Sequence, residues 1–256
     1  MADLVVDIQD VSKKFGDFVV LDGVSVKIYE GENLVVFGKS GTGKSVLLKC
    51  LVGLLEPDTG SIEVYGKNVV HMKRKELDEF RKNLSFLFQS AALYDSMTVR
   101  ENLEFPLRKN FKFTEDVIRA KAERALEMVD LSQAIDKMPS ELSGGMRKRV
   151  GLARSIITEP KIMLYDEPTT GLDPITTKEI SRLIRNLQNE LKMTSIIVTH
   201  DMMCAQIIAD RAIVLHKGKI VIEGTLEDLT TSKDPFLVNF FSPEIIEEQN
   251  GEIDGV

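Results

Sequence analysis

The sequence predicts an α/β domain: a parallel sheet covered by helices, joined to an antiparallel, strand-rich N-terminal portion and interrupted by a mostly helical insertion. Three observations carry this. Residues 34–37, 84–88 and 162–165 are short, largely apolar runs, the pattern of strands buried on both faces. Strand signals at 162–165, 196–199 and 212–215 are interleaved with a helical period over 176–191, which implies a parallel sheet. Residues 4–8, 19–21 and 24–29 instead alternate or cluster β-branched side chains.

Taken in order, those three N-terminal strands lead into a Glu30-Gly31-Glu32 turn and the buried strand 34–37. A glycine-rich loop and a helix over about 45–54 follow, stopped by Glu56-Pro57-Asp58-Thr59-Gly60. Residues 62–65 with Gly66-Lys67-Asn68 read as a hairpin. After strand 84–88 the character changes, and residues 90–158 read as helices with loops, Thr114 being a suitable N-cap for 115–129. The expectation is a single domain over 1–240. Its core comes from 1–89 and 159–230, the helical insertion is 90–158, and 241–256 is an acidic tail.

Composition narrows the function. The chain has 256 residues and a net charge of −7, the wrong sign for a nucleic-acid partner. Its two basic clusters, Lys73-Arg74-Lys75 and Arg147-Lys148-Arg149, fall in helical segments and read as solvated helix faces. Cys50 and Cys204 stand alone in helical segments and read as small core residues. Met1-Ala2-Asp3-Leu4 lacks the pattern of a signal peptide, and no apolar run reaches the roughly 18–20 residues of a membrane span. From residue 242 onward five acids and no base occur; this is either a solvated end or, at Pro243-Glu244-Ile245-Ile246, a short docking segment.

Three motifs carry chemistry. Gly38-Lys39-Ser40-Gly41-Thr42-Gly43-Lys44-Ser45, running into Val46, has the phosphate-loop spacing and lies between a buried strand and a helix. Its glycines let backbone N–H groups wrap phosphate oxygens, Lys44 places a charge at the β and γ phosphates, and Ser45 offers a hydroxyl to Mg²⁺. The strand at 162–165 delivers Asp166 and Glu167 at its C-terminal end, where open α/β sheets bind ligands. Asp166 suits Mg²⁺, and Glu167 suits a general base acting on water. Leu142-Ser143-Gly144-Gly145-Met146 precedes a helix and is a second anion site of different construction.

In this order the motifs resemble the ATP-binding cassette (ABC) ATPases, a P-loop NTPase (RecA-like) core with an N-terminal antiparallel β subdomain and an inserted α-helical subdomain. Gln89 matches the Q-loop glutamine, Gly171-Leu172-Asp173 the D-loop, His200 the switch histidine, and Phe15 the aromatic that stacks on adenine, with Phe18 its rival. The resemblance covers about residues 4–230. It implies a homodimer that sandwiches two ATP molecules with Mg²⁺. Ser143, Gly144 and Gly145 would then contact the nucleotide of the other subunit, and Asp173 would cross the interface. Gln89 would sense Mg²⁺ and water, and His200 would bond the γ-phosphate and position Glu167.

Met146 stands where this family's signature usually has Gln. With Leu93-Tyr94-Asp95-Ser96-Met97-Thr98-Val99, Phe105-Pro106-Leu107 and Gly171-Leu172-Asp173-Pro174-Ile175, it resembles the ATPases of Mla/Mce-type bacterial lipid transporters. That implies a permease docked near Leu93, Tyr94, Met97 and Phe105, an Mce-domain lipid-binding protein, room for a small cytoplasmic accessory subunit, and a place on the cytoplasmic face of the inner membrane. The alternatives are an amino-acid-type importer ATPase, a soluble ABC protein, and a nucleotide-gated module that does not turn over. The single cassette and absence of a coiled coil disfavour the second; Glu167 with His200 disfavours the third.

Overall fold

A computed structural model of the chain describes residues 2–241. The stretch from residue 242 onward, with the candidate docking segment at 243–246, lies outside the described residues.

The separate N-terminal strands of the sequence reading are two long ones, β1 (Leu4–Phe15) and β2 (Phe18–Tyr29), paired antiparallel. Apolar alternation stops at Gln9-Asp10, yet the strand continues through an irregularity. Asp10 takes φ +50°, and the register shifts between Ile8 and Val11. Such a bulge bends a strand without ending it, and Ser25 Oγ accepts the Asp10 N–H at 2.9 Å. β4 (Thr59–Val64) pairs with the other edge of β1 and turns into β5 (Lys67–Asn68) through Tyr65 and Gly66. Both turn residues have positive φ, as a two-residue type I′ hairpin requires.

The second sheet contains β3 (Asn33–Phe37), β6 (Leu84–Leu87), β7 (Ile162–Asp166), β8 (Thr194–Val198), β9 (Arg211–His216) and β10 (Lys219–Gly224), in the order β10-β9-β3-β8-β7-β6. All pairings are parallel except β10 with β9. β10 is absent from the sequence reading, because its side chains are all exposed or half-buried and its apolar signal is weak. The helices are α1 (Lys44–Leu51), α2 (Arg74–Arg81), α3 (Val99–Asn110), α4 (Glu115–Glu127), α5 (Gly144–Ile156), α6 (Pro174–Leu191), α7 (Met202–Ile208), α8 (Leu226–Thr230) and α9 (Pro235–Phe241).

Alternation along β3 shows why its strand had to be apolar throughout. Leu34 and Val36 face a core shared with β1, β2 and α1, whereas Val35 and Phe37 face a core shared with α3 to α7. Phe37 is also met edge-on by Phe240 and Phe241 of α9, at centroid distances of 6.4 and 5.4 Å. Phe241, placed in the tail by the sequence reading, therefore belongs to this packing. Cys50 and Cys204 are buried in α1 and α7, and Thr114 stands at the N-cap of α4 without a side-chain capping bond.

Only one basic cluster is a solvated face. Lys73, Arg74 and Lys75 are exposed at the start of α2. In α5, Arg147 is exposed, but Lys148 is buried and Arg149 donates to the Val129 carbonyl and to Glu179. The expectation fails there because α5 is wrapped on several sides, and charge alone does not report that.

Candidate functional site

β3 delivers the chain to a loop, residues 38–43, that is wound too tightly for side chains at two points. A Cβ on Gly38 would lie 2.5 Å from Thr42 Oγ1 and 2.6 Å from the Leu215 carbonyl oxygen. Gly43 has φ +102°, and a Cβ there would lie 2.6 Å from the Val20 carbonyl oxygen. The Thr42 hydroxyl donates to the Lys39 carbonyl at 2.9 Å and closes the loop. No side chain caps α1, so its first N–H groups remain available to an anion.

Lys44 is buried at the base of this cradle. Its Nζ donates to the carbonyls of Gly38 at 2.7 Å and Lys39 at 3.1 Å, and lies 3.8 Å from Glu167 Oε1. Burial pushes the lysine pKa down, and the carboxylates of Glu167 and Asp166 oppose that shift. Ser45 Oγ donates to Asp166 Oδ1 at 2.9 Å. A hydroxyl and a carboxylate oxygen so close together, beside a phosphate cradle, are the hard donors that suit Mg²⁺. Val46 packs its half-buried side chain against the core behind them.

The end of β7 presents Glu167 in an unusual backbone state. Its φ is +51°, a left-handed value that a non-glycine residue adopts only when its surroundings hold it. Here the Glu167 N–H donates to the Val198 carbonyl at 2.9 Å, pinning the residue to β8. The carboxylate faces His200: Oε2 lies 2.9 Å from His200 Nδ1 and accepts more weakly from the His200 N–H and the Thr170 hydroxyl, at 3.4 and 3.3 Å. The Glu167 side chain is 14% exposed and that of His200 is 64% exposed, so the pair joins a sheltered carboxylate to solvent.

The structure therefore brings Lys44, Ser45, Asp166, Glu167 and His200 together at the C-terminal ends of β3, β7 and β8. Gln89 follows β6, with an exposed side chain, on a segment bent by Ala91 and Ala92 at φ +60° and +47°. Phe15 and Phe18 flank the Gly16-Asp17 turn of the β1–β2 hairpin, 50% and 66% exposed, and Lys13 Nζ lies 5.7 Å from the Phe15 ring centroid.

Ser143, Gly144, Gly145 and Asp173 stand apart. Ser143 is the N-cap of α5, its Oγ accepting from Met146 N at 3.2 Å with its own proton left to donate. Gly144 is open on its Cβ side, and a Cβ on Gly145 would lie 3.0 Å from Thr176 Cγ2. Met146 turns its side chain against the core, which accounts for an apolar residue at this position. Asp173 caps α6, accepting from the N–H groups of Ile175 and Thr176 at 3.0 Å and from the Thr176 hydroxyl at 2.6 Å. The Thr176 hydrogen bonds hold its carboxyl below the usual range. Among the described residues, no hydrogen bond or ion pair links this patch to Lys44 or Glu167.

Sequence reasoning overlooked four neighbours of these residues. Thr170 contacts Glu167, and Thr169 donates to Asp201 Oδ2 at 2.9 Å beside His200. Asp201 was within reach of sequence rules, since an Asp just before a helical run is an N-cap signal and its side chain does accept from Cys204 N. Lys148 Nζ donates to the Gln89 carbonyl, a contact no local pattern announces.

The ABC transporter family model matches residues 21–170, more than half of the chain. This protein is an ABC ATPase. It is 38% identical over 240 residues to the intermembrane phospholipid transport system ATP-binding protein MlaF of Haemophilus influenzae, covering 94% of this chain and 91% of that one. It is 40% identical over 239 residues to a Mycobacterium leprae protein named "Probable ribonucleotide transport ATP-binding protein mkl", covering 93% and 69%. Among solved structures, an ATP-binding cassette captured as a dimer in a post-hydrolysis state with ADP and Pi superposes with TM-score 0.79 at 32% identity, over 86% of this ABC ATPase and 98% of that chain. The structure of cbiO1 from Clostridium perfringens superposes with TM-score 0.83 at 30% identity, over 97% and 99%. Among the described residues no helix of this ABC ATPase is long and apolar enough to cross a membrane.

Proposed function

We propose that this ABC ATPase powers phospholipid transport in the bacterial envelope, as a homodimer docked on a membrane permease at the cytoplasmic face of the inner membrane. The near end-to-end match to MlaF carries the lipid assignment; Leu142-Ser143-Gly144-Gly145-Met146 supports it. An Mce-domain lipid-binding protein and a small cytoplasmic accessory subunit complete the complex.

The proposed division of labour follows the geometry. ATP lies with its phosphates in the loop of Gly38, Lys39, Ser40, Gly41, Thr42, Gly43, Lys44, Ser45 and Val46, its adenine against Phe15. On binding, Lys44 exchanges the carbonyls of Gly38 and Lys39 for phosphate oxygens, which explains why a buried ammonium is held there in reserve. Mg²⁺ would be held by Ser45, Asp166 and Gln89, and its chemistry is neutralisation of charge on the β and γ phosphates. Glu167 accepts the proton of the attacking water, and His200 fixes that carboxylate and reaches the γ-phosphate. The exposed Ser143 and Gly144 and the half-buried Gly145 lie at the α5 N-terminus and meet the γ-phosphate bound by the second subunit, with Asp173 crossing the interface beside them. A site split in this way turns over only when two chains close.

The permease has a groove to enter. Ser85, Ala91, Tyr94, Phe105, Pro106 and Arg154 line a cavity of about 260 Å³ next to the Gln89 segment. Tyr94 is 45% exposed, its ring 5.1 Å from that of Phe105 and 5.6 Å from the Arg154 guanidinium. Leu93 instead packs against the core, so Tyr94 is the exposed anchor, with the half-buried Phe105 beside it. The test is isolation of the membrane complex with mass spectrometry of its subunits and bound lipids. Co-purification of a permease, an Mce-domain protein and phospholipid is expected; an amino-acid-type permease without lipid would contradict the assignment.

A further inference from the structure

Lys148 is a buried lysine that the reaction just described does not use. It is 7% exposed, and among the described residues its ammonium makes one hydrogen bond, to the backbone carbonyl of Gln89. Burial pushes its pKa down and the Glu167 carboxylate opposes that shift, so the ammonium stands in the field of the catalytic carboxylate. A buried ammonium with few acceptors is unfavourable unless something requires it there.

What it holds is informative. Lys148 lies on α5, whose N-terminus carries Ser143, Gly144 and Gly145. One turn further on, Gly151 faces the same segment: a Cβ there would lie 2.7 Å from the Cβ of Ala91 and 3.2 Å from Leu87 Cδ1. Ala91 and Ala92 are the residues with left-handed φ. α5 is thus locked to the Gln89 segment twice, by a charged hydrogen bond at Lys148 and by a contact at Gly151 too close for any side chain. The first lock falls on the peptide that sets the direction of the Gln89 side chain.

We propose that Lys148 is a positioning residue: by holding the Gln89 carbonyl it aims the Gln89 amide at the Mg²⁺ and water, and it makes the Gln89 segment and the signature end of α5 move as one body. This rests on the role proposed for Gln89. Occupancy of the site in one chain is thereby passed to the surface that completes the site of the other. The link is local, a single hydrogen bond and one packing contact, and it requires no longer pathway.

A double-mutant cycle on the full-length chain tests it, using ATPase rate, ATP KM, and the Mg²⁺ concentration giving half-maximal rate. Lys148→Met is expected to lower kcat about tenfold, equivalent to about 1.4 kcal/mol, with KM for ATP unchanged and the Mg²⁺ requirement raised. In a Gln89→Ala background the same substitution should add little. If Lys148→Met does not fold, Lys148→Gln, which keeps a neutral donor, takes its place in the cycle and is expected to retain more of the rate. Equal losses from the lysine substitution in both backgrounds, or no loss in the native background, overturn the proposal. An unaffected Gln89→Ala single variant would instead overturn the role given to Gln89, so the two failures are distinguishable.

Discussion

Gly43→Ala is the most telling small change in the phosphate loop. At φ +102° the backbone lies beyond the left-handed region that L residues tolerate, and a Cβ meets the Val20 carbonyl oxygen at 2.6 Å, Leu21 Cδ2 at 2.8 Å and Val20 Cγ1 at 3.1 Å. The nearest of these is backbone in a strand and cannot rotate away. The conformational strain is about 1–2 kcal/mol and the overpacking about 1–3 kcal/mol. Reduced entropy of the unfolded chain returns about 0.4–1 kcal/mol. The net penalty is about 1–4.5 kcal/mol, a factor of roughly 5 to 2000 if it is all expressed in ATP binding. Gly41→Ala is the control: its φ is +79° but nothing lies within 4 Å of the new Cβ, so only the strain remains, about 1 kcal/mol after the same offset. Urea denaturation together with calorimetric ATP binding reads both terms. Equal losses for the two variants would refute the claim that the loop's shape is set by contact with β2.

Further expectations follow from burial and charge. Cys50 and Cys204 have thiol pKa values raised by burial to about 11, so neither should react with a thiol reagent in the native state at neutral pH, while both should react in urea. Because these values are raised, the stability they contribute is complete below about pH 9 and is lost as pH climbs towards 11; alkaline unfolding should shift upward in a Cys50→Ala, Cys204→Ala variant. Leu103→Ala, at a fully buried position in α3, should lower stability by about 2–5 kcal/mol without changing the ATP KM of the folded fraction. Tyr94→Glu should abolish co-purification with the permease while leaving ATP binding intact, and a complex that survived it would remove the docking role from this groove.

Much of this molecule is legible in its sequence, and the physical reasons differ by region. β3, β7 and β8 announce themselves because a strand buried on both faces must be apolar at every position, whereas β10 does not because neither of its faces is buried. The phosphate loop is legible because glycine is required where a Cβ would collide with a carbonyl, as at Gly38 and Gly43. The continuity of β1 through Asp10 is not, since a bulge fixed by the Ser25 hydroxyl leaves no local alternation. At the site, Asp166 and Glu167 follow from their place at the end of a buried strand in an α/β sheet, and His200 from the resemblance to ABC ATPases, where it matches the switch histidine. Thr170 and Lys148 do not, because their relevance comes from tertiary proximity to Glu167 and Gln89. The reading of Arg147-Lys148-Arg149 as a solvated face failed for the same reason: a lysine's charge says nothing about whether its ammonium has a carbonyl to bind.

The central claim is that Glu167 drives hydrolysis in a site completed by a second chain. Glu167→Gln keeps the shape and the neighbours of the side chain while removing its basicity. Size-exclusion chromatography of this variant with ATP and Mg²⁺, alongside its steady-state ATPase rate, tests the claim directly. The account predicts a stable ATP-loaded dimer and a rate at least about 100-fold below that of the native chain, as loss of a general base entails. Native-like turnover, or ATP binding that leaves the variant monomeric, would contradict it.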